Sequence, residues 1–597
     1  MLKRESQFCS SSPARFLLLS LSATLKPTCV LIYIRYDGVA AASPNEPSAF
    51  YFTVFPKTPG KYSLILTGDN GVKQEEIIYV KYIRRELDRL TVDDREMFLD
   101  AMATLWKVST EDGVAMYGDK YKSAFYFSQV HIDAAGNTVC DQFHGGSGFI
   151  SNHVFLTNYF EQSLQAVNPR TALHFMEYTR YFDSDAYWQG HLSNTADGGK
   201  WLEFMTSVWF GSNDPNTGKI VDGRWADVKV PRVSSAFYKA QGIDEAEPFW
   251  PQNKEKWMAT MGKAHGYSPY GLLRSVHSLS PNEFILRFNN ADRLGDVRDD
   301  AAKYGYPYTG VTCDDYATFF NMAKGLSTME ASYQMEYLTH GPIHLAFGGG
   351  GGDMCAANDD ILRERFGFAD WNLPYFTKWI HNFMKTEGPW LFAESPKSDA
   401  PTSLWNCSEF PAKTHGIEKI AVSMLDIEEF GSIECDAPQE FYKSEDKIDE
   451  WLNSAINSEK FGIDEFSIED KKALMQTLAN RHQFDGEMIT SAAPLDPLFW
   501  VQHGSAERLW QRMEMNGIFS DAPFDVVQGC AGHSADGNLG WLKGYSVNNP
   551  TVVLSNLTVA ELVGMLDPME VAYVENFNFI YETTDYEWCP GLVDITQ

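Results

Sequence analysis

The spacing of hydrophobic and polar positions changes character along the chain. Between residues 28 and 83 the apolar residues gather in short β-branched and aromatic runs: TCVLIYIRY, SAFYFTVF, KYSLILTG and EEIIYVKYI. PKTPG and GDNG separate some of these runs as turns, so the pattern predicts strands and a small sandwich-like N-terminal β domain. From about residue 84 the period becomes helical. RRELDRLTVDDREMFLDAMATLWKV spaces its apolar residues by three and four, and Thr91 ahead of Asp93 and Asp94 marks a helix start, because acidic groups complement the positive end of the helix dipole. The same period returns at 150–167, 316–340 and 496–515, with loops rich in Gly, Asn, Asp and Pro between, notably 190–250. In the acidic segment 355–484, DKIDEWLNSAIN and EDKKALMQTLANRH read as helices; beyond 515 the chain reads as loops and short strands such as TVVL and VAYV. The predicted fold class is mainly α: a helical core over 84–515 with long loops, a β domain over 28–83, and a C-terminal loop and strand extension over 516–597.

Composition narrows the partners. The chain of 597 residues carries 49 basic against 80 acidic side chains, a net charge of −31. Such a surface repels phosphate backbones and anionic lipid, which argues against nucleic acid as a partner. No apolar run approaches the roughly 20 residues of a spanning helix, so no transmembrane span is expected. Residues 1–27 combine Lys3 and Arg4 with a short apolar block at 16–23, a candidate targeting segment that favours a secreted or organellar location. Nine cysteines lie scattered with no CxxC pair, and their pairing stays open, while Asn406 and Asn556 head N-x-S/T tripeptides.

The candidate chemistry lies in the histidines. Of fourteen, six fall in a usable arrangement. His131 and His144 flank a loop and His153 follows on a helical stretch, so three imidazoles can converge on one metal. His340 and His344 are spaced i, i+4, which puts both on one helix face, with Pro342 between them as a disturbance and a glycine run after. His503 sits in DPLFWVQHGSAERLW, residues 496–510. Two sets of three imidazoles without a thiolate or carboxylate set favour copper over zinc, and three nitrogens per metal leave open positions for dioxygen. His174 and His482 read as structural or loop histidines; Phe149, Phe155, Phe499 and Trp500 read as apolar packing around the site; Arg508 is expected to pair with a nearby acid, Asp496 being a candidate, and Glu336 is a candidate to orient a ligand.

These motifs together resemble the type-3 copper family of tyrosinases, catechol oxidases and haemocyanins. DPLFWVQHGSAERLW is similar to the family's second-copper signature DPxFxxHHxxxDRxW, and HGPIH with its glycine run is similar to HNxxH…GG. FHGGSGFISNHVFLTNYFEQSL resembles the first-copper element HGxxxFxxWHRxYLxxFExxL, with His153 nine positions after His144. ALHFMEYT at 172–179 stands in the PYWDW strand place, YIRRELDRLTVDDREMFLDAM resembles the opening helix, and MLDPMEVAYVEN is a weaker echo. The resemblance spans roughly 80–354 and 485–515 and makes 355–484 an insertion. It implies two copper ions, the first held by His131, His144 and His153 and the second by His340, His344 and His503. It implies dioxygen and phenolic small molecules as partners, and a tyrosinase- or catechol-oxidase-like enzyme that turns o-diphenols into o-quinones. Departures from the pattern bear on activity. Gln502 replaces the first of two adjacent histidines, Asn152 and Val154 replace a Trp and an Arg, and Gly341 replaces an Asn that helps a water deprotonate monophenols. The last departure implies diphenol oxidation rather than monophenol hydroxylation. Some relatives carry a Cys–His thioether near this place, for which Cys140 is the candidate. Haemocyanin-like oxygen binding and a non-catalytic relative stay open as alternatives.

Overall fold

The computed structural model describes residues 32–38, 48–54, 59–67, 73–136, 141–182, 203–214, 217–243, 272–274, 282–287, 312–348, 361–368, 449, 462–471, 473–474, 486–519, 532–543, 545, 547, 552–584, 586, 588–589 and 592. The candidate targeting segment at 1–27, Cys140, Asn406, His482 and most of 355–484 lie outside them. The chain divides into two compact units, Met1–Lys81 and Tyr82–Gln597.

In the first unit, β1 (Ile32–Gly38) pairs antiparallel with β2 (Ser48–Val54), and β3 (Gly60–Thr67) with β4 (Lys73–Val80). Each is a separate two-stranded sheet, so the described residues hold two hairpins where a sandwich-like domain is predicted. The local strand signal sets each pair, since strand propensity and turn residues act within a few positions.

The second unit is built mainly from helices: α1 (Val92–Lys107), α2 (Thr110–Tyr117), α3 (Ala124–Ala135), α4 (Gly148–Val167), α5 (Thr179–Phe182), α6 (Ser235–Gln241), α7 (Cys313–Ala323), α8 (Thr328–Met335), α9 (Gly341–Gly348), α10 (Leu498–Met515), α11 (Val559–Gly564) and α12 (Val571–Asn576). Thr91 caps α1, its side chain accepting from the Asp94 amide, and Phe98, Leu99, Met102, Leu105 and Trp106 bury the inner face. Each such residue fully removed from water contributes about 1.5–3 kcal/mol. Helix α4 is buried on almost every side, its polar Asn152, His153, Asn158 and Glu161 included, and packs against α1, α3 and α10.

The predicted helix over 316–340 is divided. Gly325 turns the chain with φ +87°, and a Ser327–Glu330 capping box starts α8 anew. A π turn, Glu336–His340, then joins α8 to α9, and the Gly341 amide bonds back to the Glu336 carbonyl. The widened turn accommodates Pro342, whose ring would otherwise clash with the carbonyl four residues earlier. VAYV, predicted as a strand, lies in α12. Tyr573 and Phe577, four residues apart, come together with ring centroids 5.0 Å apart, so core contact overrides local β preference. ALHFMEYT forms a single parallel bridge, Glu86↔Phe175, and is held by the Met176 amide on the Val501 carbonyl.

Four buried arginines anchor this unit. Arg84 on β5 (Tyr82–Arg84) binds Glu161 and Glu507; β5 pairs in parallel with β6 (Phe579–Tyr581). Arg274 meets Glu487, Arg287 meets Asp496, and Arg508 meets Glu177. The acid expected beside Arg508 is thus Glu177, while Asp496, the candidate for that place, pairs with Arg287. Arg508 lies ten positions, about 15 Å along the axis, from Leu498 at the start of α10, and Asp496 precedes Leu498, which keeps the two side chains apart. Cys313 at the start of α7 is disulfide-bonded to Cys589.

Candidate metal centre

Two elements and a loop present the first three histidines. His131 lies near the end of α3, His144 in the loop that follows, and His153 in the second turn of α4. The second three come from the π turn (His340), α9 (His344) and α10 (His503). Within each group the donor atoms lie within 4.8 Å of one another, and each group could hold a metal ion. The groups adjoin: the rings of His153 and His503 stack with centroids 4.1 Å apart and planes 9° from parallel.

The outer nitrogens establish the tautomers of the first group. His131 Nδ1 meets the Ser491 carbonyl and His153 Nδ1 the Phe149 carbonyl, each at 2.7 Å, while His144 Nδ1 lies 3.0 Å from an Asp141 carboxylate oxygen. A carbonyl or carboxylate only accepts, so each Nδ1 carries the hydrogen, and the neutral rings of His131 and His153 keep the Nε2 lone pair. The Nε2 atoms of His131 and His153 are buried without a partner. An unpartnered buried lone pair is costly, and a cation resolves it.

The second group is arranged differently. His344 Nδ1 meets the Met488 carbonyl, but Nδ1 of His340 and of His503 is buried without a partner. The Nε2 atoms crowd instead: 2.9 Å from His344 to His340 and 3.2 Å from His340 to His503. Nitrogens ~2.0–2.1 Å from one shared metal at angles between square and tetrahedral lie ~2.9–3.4 Å apart, so these separations fit a common ion.

Burial favours the neutral form of His131, His153, His340, His344 and His503, as metal ligation requires. Loss of solvation, followed by the charge of neighbouring His144, lowers His131 to about 3. Burial likewise lowers His344 to about 4 and holds His153, His340 and His503 well below the ordinary value. One imidazole of each group, His144 and His344, is only partly buried, and these two are electrostatic neighbours.

Phe149 and Phe499 form the apolar wall. Phe149 packs on His153, His340 and His503, and Phe499 on His131, His153, His344 and His503. Trp500 stacks on Phe160 and Phe155 packs on Phe577, so both act in the core behind the site. His174 is buried, accepts from the Arg85 amide and meets Phe98 edge-on, a scaffold role. Glu336 accepts from the Gly145 amide at 2.7 Å, tying the loop of His144 to the turn of His340.

Several contributors are not singled out by the sequence reading. The Ser491 and Met488 carbonyls carry no side-chain signature, whereas Asp141, three residues before His144, is a readable signal. His533 Nδ1 accepts from the Gly148 amide, and its ring fills the space beside Gly146 and Gly148. A Cβ at Gly148 would stand 2.3 Å from the Gln142 carbonyl oxygen, so only glycine fits there. Asn152 donates to that same carbonyl at 2.6 Å, which gives the residue in the Trp place a role in closing the loop. No family model matches the chain, and no curated protein matches it.

Proposed function

We propose that the chain is a copper-dependent oxidoreductase of the type-3 copper kind, oxidising o-diphenols to o-quinones with dioxygen. The observation that carries this reading is the pair of adjoining three-histidine groups, all imidazole, joined through the stacked rings of His153 and His503. All-imidazole donor sets suit copper, and the motif resemblance selects it over zinc. Two bound copper ions would supply the electron transfer by which two diphenols pass four electrons and four protons to one dioxygen, giving two quinones and two waters.

The chain's own residues supply position and environment. Ser491, Phe149, Met488 and Asp141 orient the rings of His131, His153, His344 and His144 through Nδ1. Phe149 and Phe499 keep water from the inner faces of the imidazoles. The partial exposure of His144 and His344 gives a planar phenol an approach that reaches both groups. Gly341 brings no side-chain amide beside His340, which favours diphenols over monophenols as substrates.

Copper quantification, an optical spectrum on oxygenation and a catechol assay test the reading. Two coppers per chain with quinone formation is the expected result. Fewer than two coppers overturns it; reversible oxygen binding without quinone makes the chain a haemocyanin-like carrier. Efficient monophenol hydroxylation would refute the reading of Gly341.

A further inference from the structure

We infer that Gln502 supplies a fourth donor, its side-chain amide oxygen, to the metal held by His340, His344 and His503. The inference rests on the proposed reading of that group as a metal site and adds to it an unequal pair of metal positions. Gln502 precedes His503 on α10 and is fully buried. Its amide nitrogen lies 2.7 Å from His344 Nε2, and its amide oxygen is buried without a partner.

His344 directs Nδ1–H to the Met488 carbonyl, so its Nε2 bears a lone pair. In this orientation an amide hydrogen rests on that lone pair. Half a turn of the amide exchanges nitrogen and oxygen without changing the volume occupied. The oxygen then faces the His344 lone pair, which is repulsive unless a cation lies between them. In either orientation one amide atom lacks a partner, and the cation decides which.

The separations support this. The Gln502 amide nitrogen lies 2.7 Å from His344 Nε2, which stands 2.9 Å from His340 Nε2, itself 3.2 Å from His503 Nε2, so one end of the amide adjoins the cluster of imidazole donors. In the first group, by contrast, His131 and His153 present Nε2 atoms that meet no partner. The first group would then offer three imidazole nitrogens and the second three imidazole nitrogens with an amide oxygen.

The test is stepwise loading of the full chain with Cu(II) under chelator competition, and with Co(II) followed by its visible spectrum, in wild type, Gln502→Leu and Gln502→Glu. Wild type is expected to take two metals. Gln502→Leu should keep the first affinity and weaken the second by about 10- to 100-fold, with a changed Co(II) spectrum at that site alone. Gln502→Glu, which retains an oxygen donor and adds charge, should tighten the second site beyond wild type and change its Co(II) spectrum. Two metals in wild type, with second-site affinity and spectrum unchanged in Gln502→Leu, overturns the inference and leaves the two-metal reading standing. Fewer than two metals in wild type overturns both. Should Gln502→Leu fail to fold by circular dichroism, an unaltered second-site affinity and spectrum in Gln502→Glu overturns the inference by itself.

Discussion

The two histidine groups are built from the same side chain but held by opposite means. In the first, each outer nitrogen rests on a carbonyl or carboxylate, and two inner nitrogens face inward without partners. In the second, only His344 has such a support, two outer nitrogens are unpartnered, and the inner nitrogens crowd to 2.9 and 3.2 Å. The first group is preorganised by its surroundings before any ion arrives. The second has fewer outer supports and closer inner nitrogens, and the proposed Gln502 donor stands beside it. Identical ligand counts thus need not mean equal sites: outer partners and near neighbours tune each one.

The contrast can be broken most directly at a ligand. His503→Ala should abolish the second metal and leave the first, lowering the metal content from two to one per chain; retention of both would overturn the assignment. His153→Ala should do the reverse. Next in size is a change in the scaffold beneath both groups. Arg508→Met would leave Glu177 buried without its cation, and a loss of about 3–5 kcal/mol in urea unfolding is expected, with metal content of the folded fraction unchanged. A smaller, one-sided effect is expected at Asp141→Asn, which removes the carboxylate behind His144. Chelator titration should find the first site about 10- to 100-fold weaker and the second unaffected, and equal weakening of both would contradict the separateness of the groups.

The smallest effect concerns protons. Ordinary imidazole, with a value near 6.5, is about three-quarters protonated at pH 6 and must release that proton to bind a metal. In the second group burial lowers His344 to about 4 and places His340 and His503 well below the ordinary value, so all three are already neutral at pH 6. Metal binding by His153→Ala, which isolates this group, should therefore release almost no protons at pH 6, with release rising only as pH falls toward 4. Calorimetry in buffers of different ionisation enthalpy reads this count, and release of one or more protons at pH 6 would contradict it.

Much of the helical architecture is legible in the chain because it is local. Thr91 caps its helix where the sequence expects it, and α4 and α10 follow the apolar period over 150–167 and 496–515. The six imidazoles stand out by spacing and motif. What fails to read is non-local or chemically silent. The break at Gly325 and the π turn before Pro342 interrupt a period that looks continuous; VAYV reads as strand yet packs as helix; Arg508 takes Glu177, not Asp496.

By itself, then, the sequence determined the elements that carry the imidazoles, since periodicity and caps act within a few residues. Only the tertiary structure decided what closes around them. Ser491 reaches His131 across 360 positions, and Gln502 reaches His344 across 158. Every residue has a backbone carbonyl, so none announces that it will orient a ligand; that role exists only once core packing has brought distant turns to the ring.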